Sequence, residues 1–181
     1  MKQILISLRI IFIFTIVTGA LYPLLITGCG QFLFRQKANG SLVQNNGDIK
    51  GSLLIGQKFE SARYFHGRPS ASQYDALSSG GSNLGPDNVQ LAERVRTDLS
   101  AIGHNAALSS DQKIPADLVT TSASGLDPHI SLDAALLQAG RVAAARSMED
   151  SVIRKIIRDN SEKRYFNVAG DEYVNVLKLN I

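Results

Sequence analysis

Several short stretches of this chain carry residue types that do chemistry elsewhere. Their spacing decides what they can do here. Gly51 to Phe59, Gly-Ser-Leu-Leu-Ile-Gly-Gln-Lys-Phe, approaches the phosphate loop G-x-x-x-x-G-K-[ST]. Lys58 comes one residue late, and Phe59 stands where a Mg²⁺-binding hydroxyl is required, so a strand around Leu53-Leu54-Ile55 is the better expectation. Ser110-Asp-Gln-Lys113 fits S-x-x-K, yet no S-D-N or K-T-G companion follows, and the match reads as chance. Ser79-Gly80-Gly81-Ser82 misses the G-x-S-x-G register of a nucleophile elbow. His66, His104 and His129 have no ligand spacing with one another or with Cys29, so no metal site is expected and each reads as a hydrogen-bonder. No catalytic residue is assigned. The Asp-Lys-Thr-Gly phosphorylation sequence of an aspartyl-phosphate pump and the Thr-Val-Gly-Tyr-Gly filter of a potassium pore are both absent from the chain.

The most unusual stretch is Asp117 to Ser131, where five hydroxyl side chains, a glycine and an Asp-Pro turn lead into a helix. Hydroxyls and main-chain N–H groups ahead of a helix can hold an anion or a polar ligand. The same chemistry also describes a capped turn that satisfies its own backbone, which composition favours.

These residues must be positioned by something, and the charges divide the chain. It has 181 residues, 19 bases against 16 acids and a sequence pI near 9.1. Residues 1–38 hold four bases and no acid; residues 39–181 hold 15 bases and 16 acids. The basicity belongs to the N-terminal segment, which argues against a nucleic-acid partner.

Ile10 to Phe34 is a run of 25 residues without a charge, bracketed by Arg9 and Arg35. As a helix it would extend roughly 37 Å, enough to cross a hydrocarbon core of about 30 Å. The expected organisation is a tail at 1–9, a membrane helix at 10–34, a linker at 35–50 and a soluble α/β or α+β domain at 51–181. Pro23 predicts a bend near Tyr22-Pro23. Thr15, Gly19, Pro23 and Thr27 form a ridge of small residues suited to a partner helix. Ile26-Thr27-Gly28-Cys29 also resembles a lipoprotein processing site, but the apolar run before it is long for an export signal and continues past Cys29. Lys2 and Arg9 against Arg35 and Lys37 nearly tie for orientation; a short N-terminal tail that stays inside would put residues 39–181 outside the cytoplasm.

Within the domain, residues 66–88 have loop composition. A helix is expected from Pro86–Asn88 through Ala92, Val95, Leu99 and Ile102, stopping at Gly103. A second should start near Ser131 and run through Ala135, Leu136, Ala139, Val142 and Ala143. A third should bury Val152, Ile153, Ile156 and Ile157, and Tyr173 to Asn180 should form a strand.

The order of motifs resembles the C subunit of the Kdp-type potassium-transporting ATPase. The resemblance rests on Thr18 to Pro23, Gly51 to Gln57, Tyr64 to Ser70, Ser79 to Pro86, Pro115 to Ser131, Gln138 to Arg146 and Tyr173 to Asn180. The block Ser124-Gly-Leu-Asp-Pro-His-Ile-Ser131 is the most specific. The resemblance implies an accessory, non-catalytic subunit of a bacterial inner-membrane complex that takes up K⁺ at the expense of ATP. Its implied partners are a channel-like K⁺-translocating subunit, a P-type ATP-hydrolysing subunit and the bilayer, with the soluble domain outside the cytoplasm. It further implies a catalytic-chaperone role that raises ATP affinity. Ser79, Gly80, Gly81, Ser82, Thr120, Ser122, Ser124, Gly125, Asp127 and Gln138 are then candidate nucleotide contacts, with ATP shared with the catalytic subunit and K⁺ bound elsewhere. The alternatives are an extracytoplasmic cap that shapes K⁺ access without nucleotide, and a cleaved lipoprotein or binding module.

Overall fold

The structure, a computed structural model, describes residues 2–45, 47–106, 113–164 and 169–181, without the side chains of 104–106. Ser110 to Gln112 of the S-x-x-K match and the ring of His104 lie outside the described residues. The chain divides into two compact units, Met1–Lys50 and Gly51–Ile181.

The first unit is dominated by an apolar helix, Lys2–Leu33, long enough to cross a membrane and with none of its side chains buried. It consists of α1 (Lys2–Ile16), a π-helical turn (Val17–Leu21) and α2 (Tyr22–Leu33). A proline ring clashes with the carbonyl four residues back and supplies no N–H; here that carbonyl belongs to Gly19. The widened turn, closed by Tyr22 N–H donating to the Val17 carbonyl, accommodates the ring. The sequence-predicted bend at Tyr22-Pro23 is thus expressed as a π turn immediately before the proline. Thr18 Oγ1 donates to the Phe14 carbonyl at 2.7 Å, adding a second perturbation on the same turn.

Residues 35–50, expected as a linker, carry regular structure. A turn of helix, α3 (Arg35–Ala38), precedes a two-stranded hairpin of β1 (Leu42–Asn45) and β2 (Asp48–Ser52). The strand expected at Leu53-Leu54-Ile55 is displaced into β2, and Leu53 to Ile55 forms a turn closed by Leu54 N–H on Ser52 Oγ at 3.1 Å. Gly51 and Ser52 end the ladder, so the apolar residues after them have no strand to continue.

The second unit is α+β, with a three-stranded antiparallel sheet in the order β3-β5-β4 and helices packed on it. The strands are β3 (His129–Ser131), β4 (Ser161–Glu162) and β5 (Tyr173–Asn175), with Ile130 opposite Val174. The helices are α4 (Val89–Ala106), α5 (Leu132–Arg146), α6 (Asp150–Asp159) and α7 (Val176–Asn180). Helix α5 begins where predicted because Ser131 caps it, its hydroxyl accepting from Ala134 N–H at 3.1 Å. Its inner face is Ala134, Ala135, Gln138, Ala139, Val142 and Ala143, so small side chains let α6 and the sheet approach. Phe65, Ile130, Val142, Ile153, Ile157 and Val174 are the largest fully buried side chains. Burying each contributes about 1.5–3 kcal/mol.

Three expectations about the helices change. Helix α4 passes Gly103 and runs to Ala106. Val152 is 41% exposed, so the buried stripe of α6 narrows to Ile153 and Ile157, with Ile156 partly covered. The predicted strand Tyr173 to Asn180 pairs only through Asn175. There the Asn175 side chain accepts from Lys178 N–H and starts α7.

Candidate functional site

The unusual Asp117 to Ser131 stretch is organised by a residue that sequence reasoning missed, Arg68. Its guanidinium donates Nη1–H to Asp127 Oδ2 at 3.1 Å, and Nη2–H to the carbonyls of Thr120 and Thr121 and to Thr120 Oγ1 at 3.3–3.4 Å. Asp127 Oδ1 accepts from His129 N–H at 3.0 Å and faces His129 Nδ1 at 3.5 Å. Hydrogen bonding from His129, supported by Arg68, holds the Asp127 carboxyl below its ordinary pKa against the opposing effect of burial. The His129 ring stands edge-on to Tyr173, 4.8 Å between centroids. Asp117 accepts both Ser131 N–H (2.7 Å) and Ser131 Oγ–H (3.1 Å), which orients the Ser131 hydroxyl for its cap on α5.

The two loops expected to hold a nucleotide do meet, and they bond to each other. Ser79 Oγ and Gly80 N–H both donate to the Ser124 carbonyl, at 3.0 and 2.9 Å. Ser82 Oγ and Thr121 Oγ1 share a hydrogen bond at 3.3 Å. Ser70 Oγ donates to the Gly125 carbonyl at 2.6 Å, Ser124 Oγ accepts from Leu126 N–H at 3.1 Å, and Thr120 Oγ1 donates to the Ala116 carbonyl at 2.7 Å. Gly125 is required twice over: its φ is +68°, and a Cβ would lie 2.6 Å from Ser72 Oγ and 2.8 Å from the Gly80 carbonyl. Gly81 lies against Ala123, and Ser122 is buried. Gly56 closes the assembly from a third side, its N–H on the Leu126 carbonyl at 2.7 Å, where a Cβ would meet the Asp127 carbonyl at 2.6 Å. Gly56 therefore packs on this loop by close backbone approach.

Gln138 lies apart from these loops. Its Oε1 accepts from His66 N–H (2.8 Å) and Arg141 Nη2–H (2.7 Å), while Nε2 donates to the carbonyls of His66 (3.1 Å) and Ala134 (3.3 Å). Two acceptor and two donor contacts fill the amide's capacity. Asn180 does the same for the preceding residue: Phe65 N–H donates to its Oδ1 at 2.8 Å and its Nδ2 donates to the Phe65 carbonyl at 2.9 Å. Asn175, 3% exposed, donates Nδ2–H to the Leu53 carbonyl at 2.8 Å. The irregular chain from Leu53 to His66 is held by side-chain amides in place of a neighbouring strand. The signal for Asn175 and Asn180 was present in the sequence. Each interrupts an apolar run, and a polar group buried there needs a partner.

Beside Gln138 opens a cleft of about 410 Å³ whose wall includes Lys58, Phe59, Arg68, Asp98, Ile102 and Arg141. Arg141 donates Nη1–H to the carbonyls of Ala62 (2.6 Å) and Tyr64 (3.0 Å), and burial lowers its pKa. Burial and then the Arg141 cation lower the pKa of His66, whose Nε2 lies 3.2 Å from the Ser61 carbonyl, a contact that works the other way. Burial raises Asp98 and, with the Asp127 charge, Tyr74. Among the described residues, Arg68 Nε and Asp98 Oδ2 are buried without a hydrogen-bond partner.

In the first unit, Thr15, Gly19, Pro23 and Thr27 lie on the apolar helix Lys2–Leu33, spanning its π turn. Residues four apart overshoot one turn of an α-helix, and a wider turn takes up that drift. A Cβ on Gly19 meets nothing within 4 Å.

Comparison with known proteins places these features in a family. Residues 4–181 match the family described as K+-transporting ATPase, c chain. The chain is 44% identical to the potassium-transporting ATPase KdpC subunit of Koribacter versatilis (strain Ellin345), over 99% of this chain and 93% of that one. It is 44% identical to the subunit so named in Mycobacterium tuberculosis (strain ATCC 25618 / H37Rv), over 99% and 96%. Against that of Burkholderia mallei (strain SAVP1) the identity is 46%, over 100% and 95%. A match of this length, with the motif block Ser124 to Ser131 at the centre of the folded site, means that the chain belongs to the K+-transporting ATPase c chain family.

Proposed function

We propose that this chain is the accessory subunit of an ATP-driven K⁺ uptake complex in a bacterial inner membrane. The helix Lys2–Leu33 anchors it among the helices of a channel-like K⁺-translocating subunit and a P-type ATP-hydrolysing subunit. The domain Gly51–Ile181 lies outside the cytoplasm, in the periplasm, and stabilises the assembly. As a catalytic chaperone it raises the ATP affinity of the P-type subunit through that assembly, and the chain itself performs no hydrolysis. The observation that carries this reading is the mutual satisfaction of the two polar loops: Ser79, Gly80 and Ser82 are bonded to Ser124 and Thr121. Such a knot is a rigid docking body, whereas a phosphate cradle presents free N–H groups. The experiment is co-expression of the complex with and without this chain. The expected results on omission are poor recovery of the other subunits together and a raised KM for ATP. Equal recovery with unchanged KM overturns the reading.

A second reading, direct contact with ATP, is favoured by the cleft at Arg141. Lys58, Arg68 and Arg141 line it, and the unpartnered Arg68 Nε and Asp98 Oδ2 suit a ligand carrying both an acceptor and a hydroxyl or amine. Saturable binding of ATP to the full chain in detergent, lost in Arg141→Met and kept in Ser124→Trp, supports the cleft. Loss in Ser124→Trp and not in Arg141→Met assigns the nucleotide to the loops.

A further inference from the structure

Three cations line the cleft beside Gln138, and two of them are already paired. Lys58 Nζ lies 2.6 Å from Glu60 Oε1, and Arg68 Nη1 lies 3.1 Å from Asp127 Oδ2. Arg141, on α5, differs. Among the described residues it has no carboxylate within ion-pair distance, and its three hydrogen bonds go to neutral acceptors, the carbonyls of Ala62 and Tyr64 and Gln138 Oε1. A guanidinium carries five N–H groups, so two remain for a ligand. Burial lowers its pKa, the mark of a cation drawn out of water without an opposite charge to compensate. One acid reaches the cleft from α4, Asp98, whose Oδ2 is buried without a hydrogen-bond partner. Arg94, one turn earlier on α4, acts on its charge. Much of the remaining wall is apolar, with Phe59, Leu118 and Leu137.

One unpaired cation in an apolar wall selects the charge of the occupant. A triphosphate needs a run of free N–H groups or several unpaired cations, and the cleft offers one. A neutral apolar molecule would strip water from Arg141 and from Asp98 Oδ2 and give neither a partner, which is costly. A carboxylate carries the single charge required, and its two oxygens suit a guanidinium fork. We infer that the cleft takes a small amphipathic monoanion: an aromatic or branched apolar body, one carboxylate for the free N–H groups of Arg141, and one hydroxyl or amine that donates to Asp98 Oδ2. A cavity of about 410 Å³ is of the size that holds a small molecule. Once bound, the ligand bridges Asp98 and Ile102 of α4 to Leu137 and Arg141 of α5, and so fastens α4 to the domain. The site is the one named in the direct-contact reading, on which this inference rests; what changes is the class of ligand.

The test uses the full chain in detergent, with 3-(4-hydroxyphenyl)propanoate as the probe, followed by calorimetric titration and by the melting temperature. The probe should bind saturably and raise the melting temperature, as any ligand of the folded state does. Its methyl ester, which lacks the charge, and propanoate, which lacks the ring, should each bind at least about tenfold more weakly. Arg141→Met should lose the probe. Because that variant also frees two carbonyls, Ala101→Trp supplies an independent arm: Ala101 is an exposed residue of the cleft wall, and the indole should fill the cleft while the melting temperature without probe stays as in the wild type. Equal binding of acid and ester, or binding retained in Ala101→Trp, overturns the inference. ATP that displaces the probe and binds more tightly overturns it and upholds the direct-contact reading. No binding of either the probe or ATP overturns both and leaves the accessory-subunit reading in place.

Discussion

Gln138 meets the main chain of His66 through both ends of its amide, at 2.8 and 3.1 Å, as one strand meets another. This gives the glutamine a role that can be separated from any contact with nucleotide. Gln138→Ala leaves the His66 N–H and carbonyl and one Arg141 nitrogen without their partner in a part-buried place. Each such loss costs about 1 kcal/mol or more, so the variant should be less stable by roughly 2–4 kcal/mol. Denaturant unfolding of the full chain in detergent checks this. Unchanged stability combined with an altered ATP KM of the complex would instead point to a ligand contact.

Gly125 and Gly80 belong to the same knot and should respond differently to an added methyl group. Gly125 has a left-handed φ and a filled Cβ position, whereas a Cβ on Gly80 meets nothing within 4 Å. Gly125→Ala should destabilise the domain by about 1–3 kcal/mol, and Gly80→Ala by less than about 0.5 kcal/mol. Thermal unfolding of the two variants measures the contrast, and equal effects would mean the knot is not formed as described.

The lowered pKa of His66 gives the stability of the domain a pH dependence. In the unfolded chain the ring titrates near its ordinary value of about 6.5; in the folded chain burial and Arg141 hold it lower. As pH falls through that value, the unfolded state takes up the proton first, so stability declines on acidification until the folded pKa is passed. Melting temperatures at pH 8 and 5.5 should differ more in the wild type than in His66→Gln. Parallel pH slopes would remove His66 from the account.

Gly19→Leu tests the small-residue ridge, because a Cβ at this position meets nothing within 4 Å among the described residues. Helicity of the purified chain should be unchanged while its co-purification with the transport complex falls several-fold, since close helix approach depends on small residues. Recovery equal to wild type would exclude this face as the contact.

Orientation is checked by protease added to intact spheroplasts. Cleavage of the Gly51–Ile181 domain is expected. Protection, with external controls digested, would place the domain in the cytoplasm and make direct access to ATP ordinary.

The sequence carried α5 and α6 plainly, because Ser131 supplies a cap and Ile153 and Ile157 keep helical spacing. It misplaced the strand near Leu53 and overextended the one from Tyr173. Both errors have one cause: asparagine and glutamine side chains here take the part of backbone. Asn175 ends β5 by capping α7, and amides hold Leu53, Phe65 and His66 without a ladder. Composition favours a capped turn at 117–131, and only the family resemblance joins residues 79–82 to it, as implied nucleotide contacts; that the two loops bond to each other emerges from the fold. Arg68 was not legible either, since a single arginine before a proline looks like any solvated loop base. Only the fold shows that four of its contacts converge on Thr120, Thr121 and Asp127.

The amide clamps also set the order in which this domain can form. The α5–α6 hairpin joins neighbours in sequence, while the Phe65–Asn180 pair spans 115 residues and the Leu53–Asn175 bond spans 122. Contacts of such separation carry a high loop-closure cost and slow folding. The helical hairpin needs no such closure, and α5 can hold Ala62, Tyr64 and His66 through Arg141 and Gln138, but the clamps on Leu53 and Phe65 close only when the chain beyond Tyr173 has arrived. Until then Phe65 has no place in the core. A chain that ends before Asn175 and Asn180 therefore leaves Leu53 and Phe65 without their clamps, the condition in which uncovered apolar side chains invite proteases and aggregation.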